Sequence, residues 1–187
     1  MTSPINRDLS PPDAATDHIL GPATATATPP RTVSVIEYGD FECPYCAQAY
    51  PAVKIILERF GSRLQFVYRH FPQREIHPRA EAAAEAAEAA GAQGQFWAYH
   101  DLLYTHHRHL DPEHLQAHAR LLGLDMARFQ SEIDDTVYRQ RVQEHLASGE
   151  SAGVRATPTF FVNGRVVDVS FGTQHLEDAI AAALDNA

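Results

Sequence analysis

Cysteine is scarce in this sequence, and what there is lies in one place. The 187 residues include two cysteines, Cys43 and Cys46, with two residues between them. Two cysteines cannot form the framework of several disulfide bonds that stabilises small secreted domains. A second C-x-x-C motif, which would complete a four-ligand zinc site, is absent as well. We therefore expect a redox pair rather than a structural disulfide or a metal site, with two incidental thiols as the alternative.

Long apolar runs and an excess of positive charge are missing too. No stretch approaches the ~18 apolar residues of a membrane span, and the net charge is −9 with histidine counted as neutral. An acidic surface disfavours nucleic acid and anionic membranes as partners. The first 30 residues hold one arginine and no continuous apolar block, whereas a secretory signal needs both a basic start and an apolar segment. The sequence thus predicts a cytoplasmic location, with no nucleic-acid or membrane partner.

The first half of the chain has the pattern of an α/β fold. Residues 33–38 are apolar and β-branched and predict a buried strand, residues 44–60 predict a helix, and residues 64–69 predict a second strand. Strand, helix and strand in this order form a βαβ unit, whose two strands run parallel.

The second half begins with a purely helical pattern, which covers residues 78–149. Residues 159–162 and 165–169 then predict a hairpin, because the Asn163-Gly164 pair between them favours a type I′ turn. A closing helix is predicted over residues 174–184. The element order is therefore βαβ, a helical insert and ββα.

The domain limits follow from this order. The start of the chain is rich in threonine, alanine and proline and has little to bury, which is typical of a flexible segment. Ile19 and Leu20 are adjacent large apolar residues, so we expect the segment around them to dock on the domain. The predicted division is a flexible tail over residues 1–16, an α/β domain over residues 17–74 and 154–187, and a helical subdomain over residues 75–153.

Cys43 and Cys46 lie where the first predicted strand gives way to the helix. Pro44 suits the first helical position, so Cys43 is the predicted N-cap. Its sulfur can accept a hydrogen bond from the amide of Cys46 at the positive end of the helix dipole, and both effects lower a thiol pKa below its usual ~8.5. Cys46 follows one turn later, within reach of a disulfide, and we expect it to be the more buried, resolving thiol.

Residues 37–46, Glu-Tyr-Gly-Asp-Phe-Glu-Cys-Pro-Tyr-Cys, resemble the active-site segment of DsbA-like proteins of the thioredoxin superfamily. The resemblance implies a thioredoxin-like fold with an inserted all-helical subdomain. It also implies a thiol–disulfide oxidoreductase that exchanges disulfides with protein substrates and needs no cofactor. Further similar segments are residues 17–22, 68–72, 77–78, 96–97 and 153–164.

The same resemblance implies that the Thr157-Pro158 peptide bond is cis and faces the cysteines. Pro158 would leave a backbone edge free for an extended substrate chain and would prevent metal capture by the thiols. An ordinary trans proline at the start of a strand is the alternative. The residues expected to contact substrate are Pro44, Tyr45 and Thr157.

Glu37 matches the buried acid of the family, which would carry a proton to or from Cys46 during exchange. Burial would raise its pKa, and an exposed glutamate on an edge strand is the alternative. Asp40 and Glu42 lie close to the cysteines in sequence, and we expect their charges to oppose the Cys43 thiolate.

Tyr45 stands where strongly oxidising members of the family carry histidine, so we expect a less oxidising couple. Cys-Pro-Tyr-Cys is also the glutaredoxin tetrapeptide. Two alternatives to a protein oxidoreductase therefore stay open: a glutathione-dependent, glutaredoxin-like reductase and a non-catalytic binding module with the same fold. The expected partners are protein thiols and disulfides, together with a thioredoxin or glutathione system that recycles the pair.

Histidines are frequent between His106 and His118, and His114 and His118 have the spacing of zinc ligands on a helix. Leu115 occupies the position where an H-E-x-x-H motif has its glutamate. We therefore expect a solvated helix and loop here, and no stoichiometric zinc.

Overall fold

The computed structural model describes residues 3–22 and 32–186, and within them the chain forms a five-stranded sheet and seven α-helices. No helix of this described part is long and apolar enough to cross a membrane. The strands are β1 (His18–Leu20), β2 (Val33–Gly39), β3 (Leu64–His70), β4 (Thr159–Val162) and β5 (Arg165–Val167). The helices are α1 (Pro44–Phe60), α2 (Ala80–Gly91), α3 (Phe96–Thr105), α4 (Pro112–Leu121), α5 (Met126–Asp134), α6 (Arg139–Ser151) and α7 (Gln174–Asp185).

The sheet has the strand order β1-β3-β2-β4-β5. β2 runs parallel to β3 and antiparallel to β4, and the outer strands β1 and β5 pair antiparallel with their neighbours. Five helices, α2 to α6, lie between β3 and β4 in the chain. This arrangement confirms the predicted α/β, thioredoxin-like fold with a helical insert.

β2 is the central strand, and its two faces meet different helices. Val33 and Val35 pack in one apolar cluster with residues of α1 and α7, whereas Ile36 and Tyr38 face the opposite side, towards α6. Side chains alternate between the two faces of a strand, so Glu37 continues the Val33 and Val35 face. The fold therefore directs an acidic side chain towards α1, the helix that begins with the two cysteines.

The hairpin between β4 and β5 has the predicted turn, but its second strand is shorter than the sequence predicts. Asn163 and Gly164 both have positive φ, +46° and +74°, as a type I′ turn requires. β5 ends at Val167 rather than at residue 169. The reason is local: the carboxylate of Asp168 accepts a hydrogen bond from the amide of Ser170, a turn that competes with the strand.

The segment around Ile19 docks on the domain as expected, and it does so as a strand. β1 pairs with β3, with Ile19 opposite Val67. The described part of the predicted tail, residues 3–16, also contacts the domain, since Arg69 donates hydrogen bonds to the carbonyl groups of Ser10 and Pro11. These contacts were not expected from the sequence. The domain limits themselves stay a prediction, and residues 23–31 lie outside the described residues.

A buried ion pair fastens β1 to the sheet. The Arg69 guanidinium donates to both carboxylate oxygens of Asp17, each at 2.8 Å, and to the hydroxyl of Tyr38 at 3.1 Å. Both charged residues are buried. Burial makes such a pair costly to break, because removal of one partner leaves the other charge without compensation.

We expect Asp17→Ala to lower the free energy of unfolding by roughly 3–5 kcal/mol, since Arg69 would stay buried without its carboxylate. Urea titration of the two proteins measures the difference. Arg74→Gln is the matched control, because Arg74 pairs with Glu81 at an exposed position and such pairs contribute at most about 1 kcal/mol. Equal losses in the two variants would contradict the assigned importance of the buried pair.

Candidate active site

The two cysteines lie at the start of α1, directly after the loop that follows β2. Cys43 is the N-cap, with extended backbone angles of φ −69° and ψ 121°, and Pro44 holds the first helical position. The carbonyl of Cys43 accepts the amide hydrogen of Ala47, so the regular hydrogen bonds of the α-helix begin at Cys43. Both cysteines are unbonded thiols and both are buried. The local sequence thus sets the two sulfurs one turn apart, as predicted.

The pKa of Cys43 is lowered to about 5. The largest cause is a hydrogen bond from the thiol of Cys46, and burial opposes it. The side chain of Thr157 and the amides of Cys46 and Tyr45 lower the pKa further. No capping bond of ordinary geometry forms at the Cys43 sulfur, so the neighbouring thiol, rather than the expected N-cap bond, is the principal source of the shift. The lowered pKa makes Cys43 a thiolate at neutral pH.

The pKa of Cys46 moves in the opposite direction. Burial raises it well above its ordinary value, and the charges of Cys43 and Glu37 raise it further. The exposed fractions hardly separate the two residues, 2% for Cys43 and 1% for Cys46. Electrostatics therefore distinguishes the two thiols more than exposure does: one is ionised readily and the other keeps its proton.

Glu37 is a buried acid on the central strand, 4% exposed. It lies opposite Tyr68 of β3 and Phe160 of β4, so the alternative of an exposed glutamate on an edge strand is wrong. Its pKa is raised to about 8, first by burial and then by the charge of Cys43. A carboxyl with this pKa can gain and lose a proton close to neutral pH. Its role towards Cys46 stays a prediction.

The Thr157-Pro158 peptide bond is cis and lies beside the first cysteine. The carbonyl oxygen of Thr157 is 3.3 Å from the Cys43 sulfur and accepts its hydrogen in the thiol form. A groove of about 600 Å³ opens next to this bond, lined by Tyr45, Thr157 and Pro158 among others. Tyr45 is 68% exposed. Pro44 is also exposed, but it does not line the groove.

Asp40 supports the loop over the cysteines, which the sequence did not reveal. Its buried carboxylate accepts hydrogen bonds from the amides of Glu42 and Gln73 and contacts the imidazole of His77 at 2.8 Å. The side chain of Gln73 in turn accepts a hydrogen bond from the hydroxyl of Thr157. The structure thus gives Asp40 a role in holding this loop, and the predicted opposition of its charge to the Cys43 thiolate stays a prediction. The turn from Asp40 to Glu42 is local enough to be predictable, whereas the contact with Gln73 is not.

The histidines divide into exposed and buried groups. His114 pairs with Asp111 at the start of α4, as expected for a solvated position. His118 is buried, against the expectation of a solvated helix, because its ring packs between His106 and Tyr99.

A separate buried group, His70, Glu88 and His145, brings its donor atoms within 4.8 Å of one another. One carboxylate oxygen of Glu88 contacts the imidazoles of His18 and His70 at 3.0 and 2.9 Å. Arg141 approaches the other oxygen at 3.7 Å. These residues pair with one another, and the absence of stoichiometric zinc stays a prediction.

Comparison with known proteins gives three findings. A thioredoxin family model matches residues 14–182. The curated protein named Na(+)/H(+) antiporter NhaA 1 of Salinispora arenicola is 44% identical over 175 residues, which are 94% of this chain and 26% of that protein. The chain thus spans about a quarter of the length of the curated relatives it matches.

Among solved structures, a thioredoxin-like oxidoreductase from Silicibacter pomeroyi DSS-3 is similar with a TM-score of 0.77 and 26% identity, over 92% of this chain and 94% of that one. BdbD from Bacillus subtilis, in its oxidised form, is similar with a TM-score of 0.80 and 18% identity, over 98% of both chains.

Replacement of Cys46 tests the origin of the low Cys43 pKa. We expect Cys46→Ala to raise the pKa of Cys43 from about 5 towards the usual value of a free thiol, because the S–H donor is lost. Cys46→Ser keeps a donor on the same helix turn and should keep most of the shift. Thiolate absorbance in the ultraviolet, followed against pH, measures both. Identical pKa values in the two variants would contradict the assigned cause.

Replacement of Glu37 tests whether burial raises the pKa of its carboxyl. A carboxyl whose pKa is 4.5 when unfolded and about 8 when folded favours the folded state below pH 4.5, and this contribution is lost as the pH rises through 8. We therefore expect the reduced protein to lose up to about 5 kcal/mol of stability relative to Glu37→Gln across this range. Urea titration at several pH values measures the difference. A constant difference between the two proteins would argue against a raised pKa.

Proposed function

The chain belongs to the thioredoxin family, whose model covers residues 14–182. From that premise we propose that it is a DsbA-like oxidoreductase, which exchanges disulfides with other proteins through Cys43 and Cys46. One observation carries the proposal: two thiols one helical turn apart have pKa values shifted in opposite directions. The first is ready to attack at neutral pH and the second holds its proton until a mixed disulfide has formed. The antiporter name of the curated relatives is not carried over, because the match covers 26% of that protein.

The first step is attack by Cys43. Its thiolate attacks one sulfur of a client disulfide, a bond forms between Cys43 and that sulfur, and the client S–S bond breaks. The other client sulfur leaves as a thiolate and takes up a proton from solvent. In the reverse of this step a client thiolate attacks the client sulfur of the mixed disulfide, and the lowered pKa makes Cys43 a good leaving group there.

The second step is resolution by Cys46. Its thiol gives its proton to the carboxylate of Glu37, and the resulting thiolate attacks the sulfur of Cys43. The Cys43–Cys46 bond forms, the bond from Cys43 to the client breaks, and the second client sulfur leaves as a thiolate. Two electrons have then passed from the enzyme dithiol to the client disulfide. The same steps in reverse oxidise a client dithiol.

The groove beside Thr157 and Pro158 is the proposed client site. Its position next to the Cys43 sulfur suits an extended chain that carries a cysteine or a disulfide, because such a chain can bond to backbone at the start of β4. Tyr45 is the exposed side chain of this site, and it offers an aromatic surface rather than a charge.

The direction of exchange depends on the reduction potential of the pair relative to that of the compartment. A thiolate as stable as that of Cys43 favours the dithiol form, and Tyr45 adds no positive charge to favour it further. In a reducing cytoplasm, the location predicted from the sequence, the pair would act as a reductant or repair enzyme for oxidised proteins. A thioredoxin or glutathione system would then recycle it.

A trapping experiment tests the proposal. We expect Cys46→Ser to accumulate mixed disulfides with client proteins, because the resolving thiol is missing, and Cys43→Ser to accumulate none. Non-reducing gels followed by mass spectrometry of the trapped species measure this. Equal trapping by both variants would make the assigned roles wrong. Wild-type turnover of a glutathione mixed disulfide by Cys46→Ser would instead favour the glutaredoxin-like alternative.

A further inference from the structure

A cavity of about 120 Å³ lies on the side of Glu37 that faces α1 and α3. Its wall includes Glu37, Lys54, Trp97, His100 and Asp101. One water molecule needs about 10–15 Å³ measured in this way, provided that polar groups are present to bond it. The cavity therefore has room for several water molecules between the buried carboxyl and the two helices.

His100 is the notable residue of this wall. It is 4% exposed, and its ring packs against the rings of Phe41, Tyr68 and Tyr104 at 4.9–5.6 Å. Its Nδ1 lies 3.1 Å from the carboxylate of Asp101. Its Nε2 is buried and has no hydrogen-bond partner among residues 3–22 and 32–186. An imidazole that donates from Nδ1 to a carboxylate keeps Nε2 as an acceptor, so His100 presents an unused proton acceptor.

The part of the cavity wall formed by Lys54 and Asp101 is polar and reaches solvent. Asp101 bonds to Lys54 at 2.7 Å, and their side chains are 34% and 42% exposed. Because Lys54 and Asp101 line the cavity together with Glu37 and His100, the cavity joins the buried carboxyl to this solvated ion pair, and His100 lies in the wall between them.

The proposed reaction needs a route by which a proton can travel between Glu37 and solvent. Each resolving step moves one proton from Cys46 to Glu37, and both groups are buried. The proton must leave Glu37 before the next cycle, or return in the reverse direction. Apolar packing of β2 against α1 and α7 closes the rest of this face, whereas the cavity opens it towards α3.

We propose that the proton leaves Glu37 through water in this cavity to Nε2 of His100, and passes to solvent at the Asp101–Lys54 pair. This inference rests on the proposed function and adds His100 to it as a relay residue for the resolving step. The step balances in protons: Glu37 returns to its carboxylate form, Nε2 of His100 takes up that proton, and Nδ1 releases its own proton through the Asp101 carboxylate to bulk water. One net proton leaves the site, and the imidazole returns to its starting tautomer by proton exchange with water.

The groups around His100 leave its imidazole neutral, so it can accept a proton transiently. Burial lowers its pKa, and the Asp101 carboxylate opposes this effect, so the ring is neutral at neutral pH and free to accept. The titratable or charged groups near it are Glu37 of β2, Tyr68 and His70 of β3, Tyr50 and Lys54 of α1, and Asp101 and Tyr104 of its own helix.

The test is a single-turnover reaction of the reduced protein with a chromogenic aromatic disulfide. The first aryl thiol is released when Cys43 attacks, and the second when Cys46 resolves the mixed disulfide. We expect His100→Phe, which keeps an aromatic ring in an aromatic environment, to leave the first phase unchanged and to slow the second about tenfold or more. The solvent deuterium isotope effect on the second phase should also increase, because proton removal becomes limiting.

Two further variants complete the test. Asp101→Asn changes a half-exposed residue and should slow the second phase in the same sense, about threefold or more, so it decides the matter if His100→Phe does not fold. His114→Phe removes a similar histidine–aspartate pair on α4 and should change neither phase. A wild-type second phase in His100→Phe, equal slowing of both phases, or an unchanged isotope effect would overturn the relay. A wild-type protein that shows neither phase would overturn the proposed function itself.

Discussion

The hydrogen bond between two sulfurs at the start of α1 is the interaction on which the rest of the site depends. It is the largest cause of the low pKa of Cys43, and it leaves the proton on Cys46. Several features of the fold maintain it. Pro44 begins the helix at a fixed residue, the central strand brings Glu37 beneath the pair, and the helical insert encloses both cysteines in an apolar cluster. Without that enclosure water would separate the sulfurs, and the two thiols would titrate alike.

Buried acids are treated in two ways in this protein. Asp17 and Glu88 are bonded by arginine or histidine side chains, and Asp40 accepts backbone amides as well as His77. Glu37 differs, because burial and the neighbouring thiolate both raise its pKa, and within residues 3–22 and 32–186 no hydrogen bond to its side chain counters them. Asp17, Asp40 and Glu88 hold together segments that are distant in sequence. Glu37 can instead change between its protonated and ionised forms close to neutral pH. The contrast separates residues that hold the fold from one that suits chemistry.

Much of the fold could be predicted from the sequence because its signals are local. The βαβ order, the helix from Pro44 and the Asn163-Gly164 turn depend on residues within a few positions of one another, and the structure confirms them. The cysteine pair belongs to the same class. The contacts of Arg69 with Ser10 and the place of His100 beside the Glu37 cavity were not predictable, because they join residues that are far apart in the chain.

The short strand β1 has a consequence for a protein that would handle unfolded chains. It covers the edge of β3, which would otherwise present unpaired amide and carbonyl groups to any extended polypeptide. At the opposite edge of the sheet β5 has only three residues, which is too short for extended pairing with another chain. Among the described residues the sheet therefore offers little template for aggregation. Under the proposed function, a client chain would then pair beside the Cys43 sulfur, where disulfide exchange can release it.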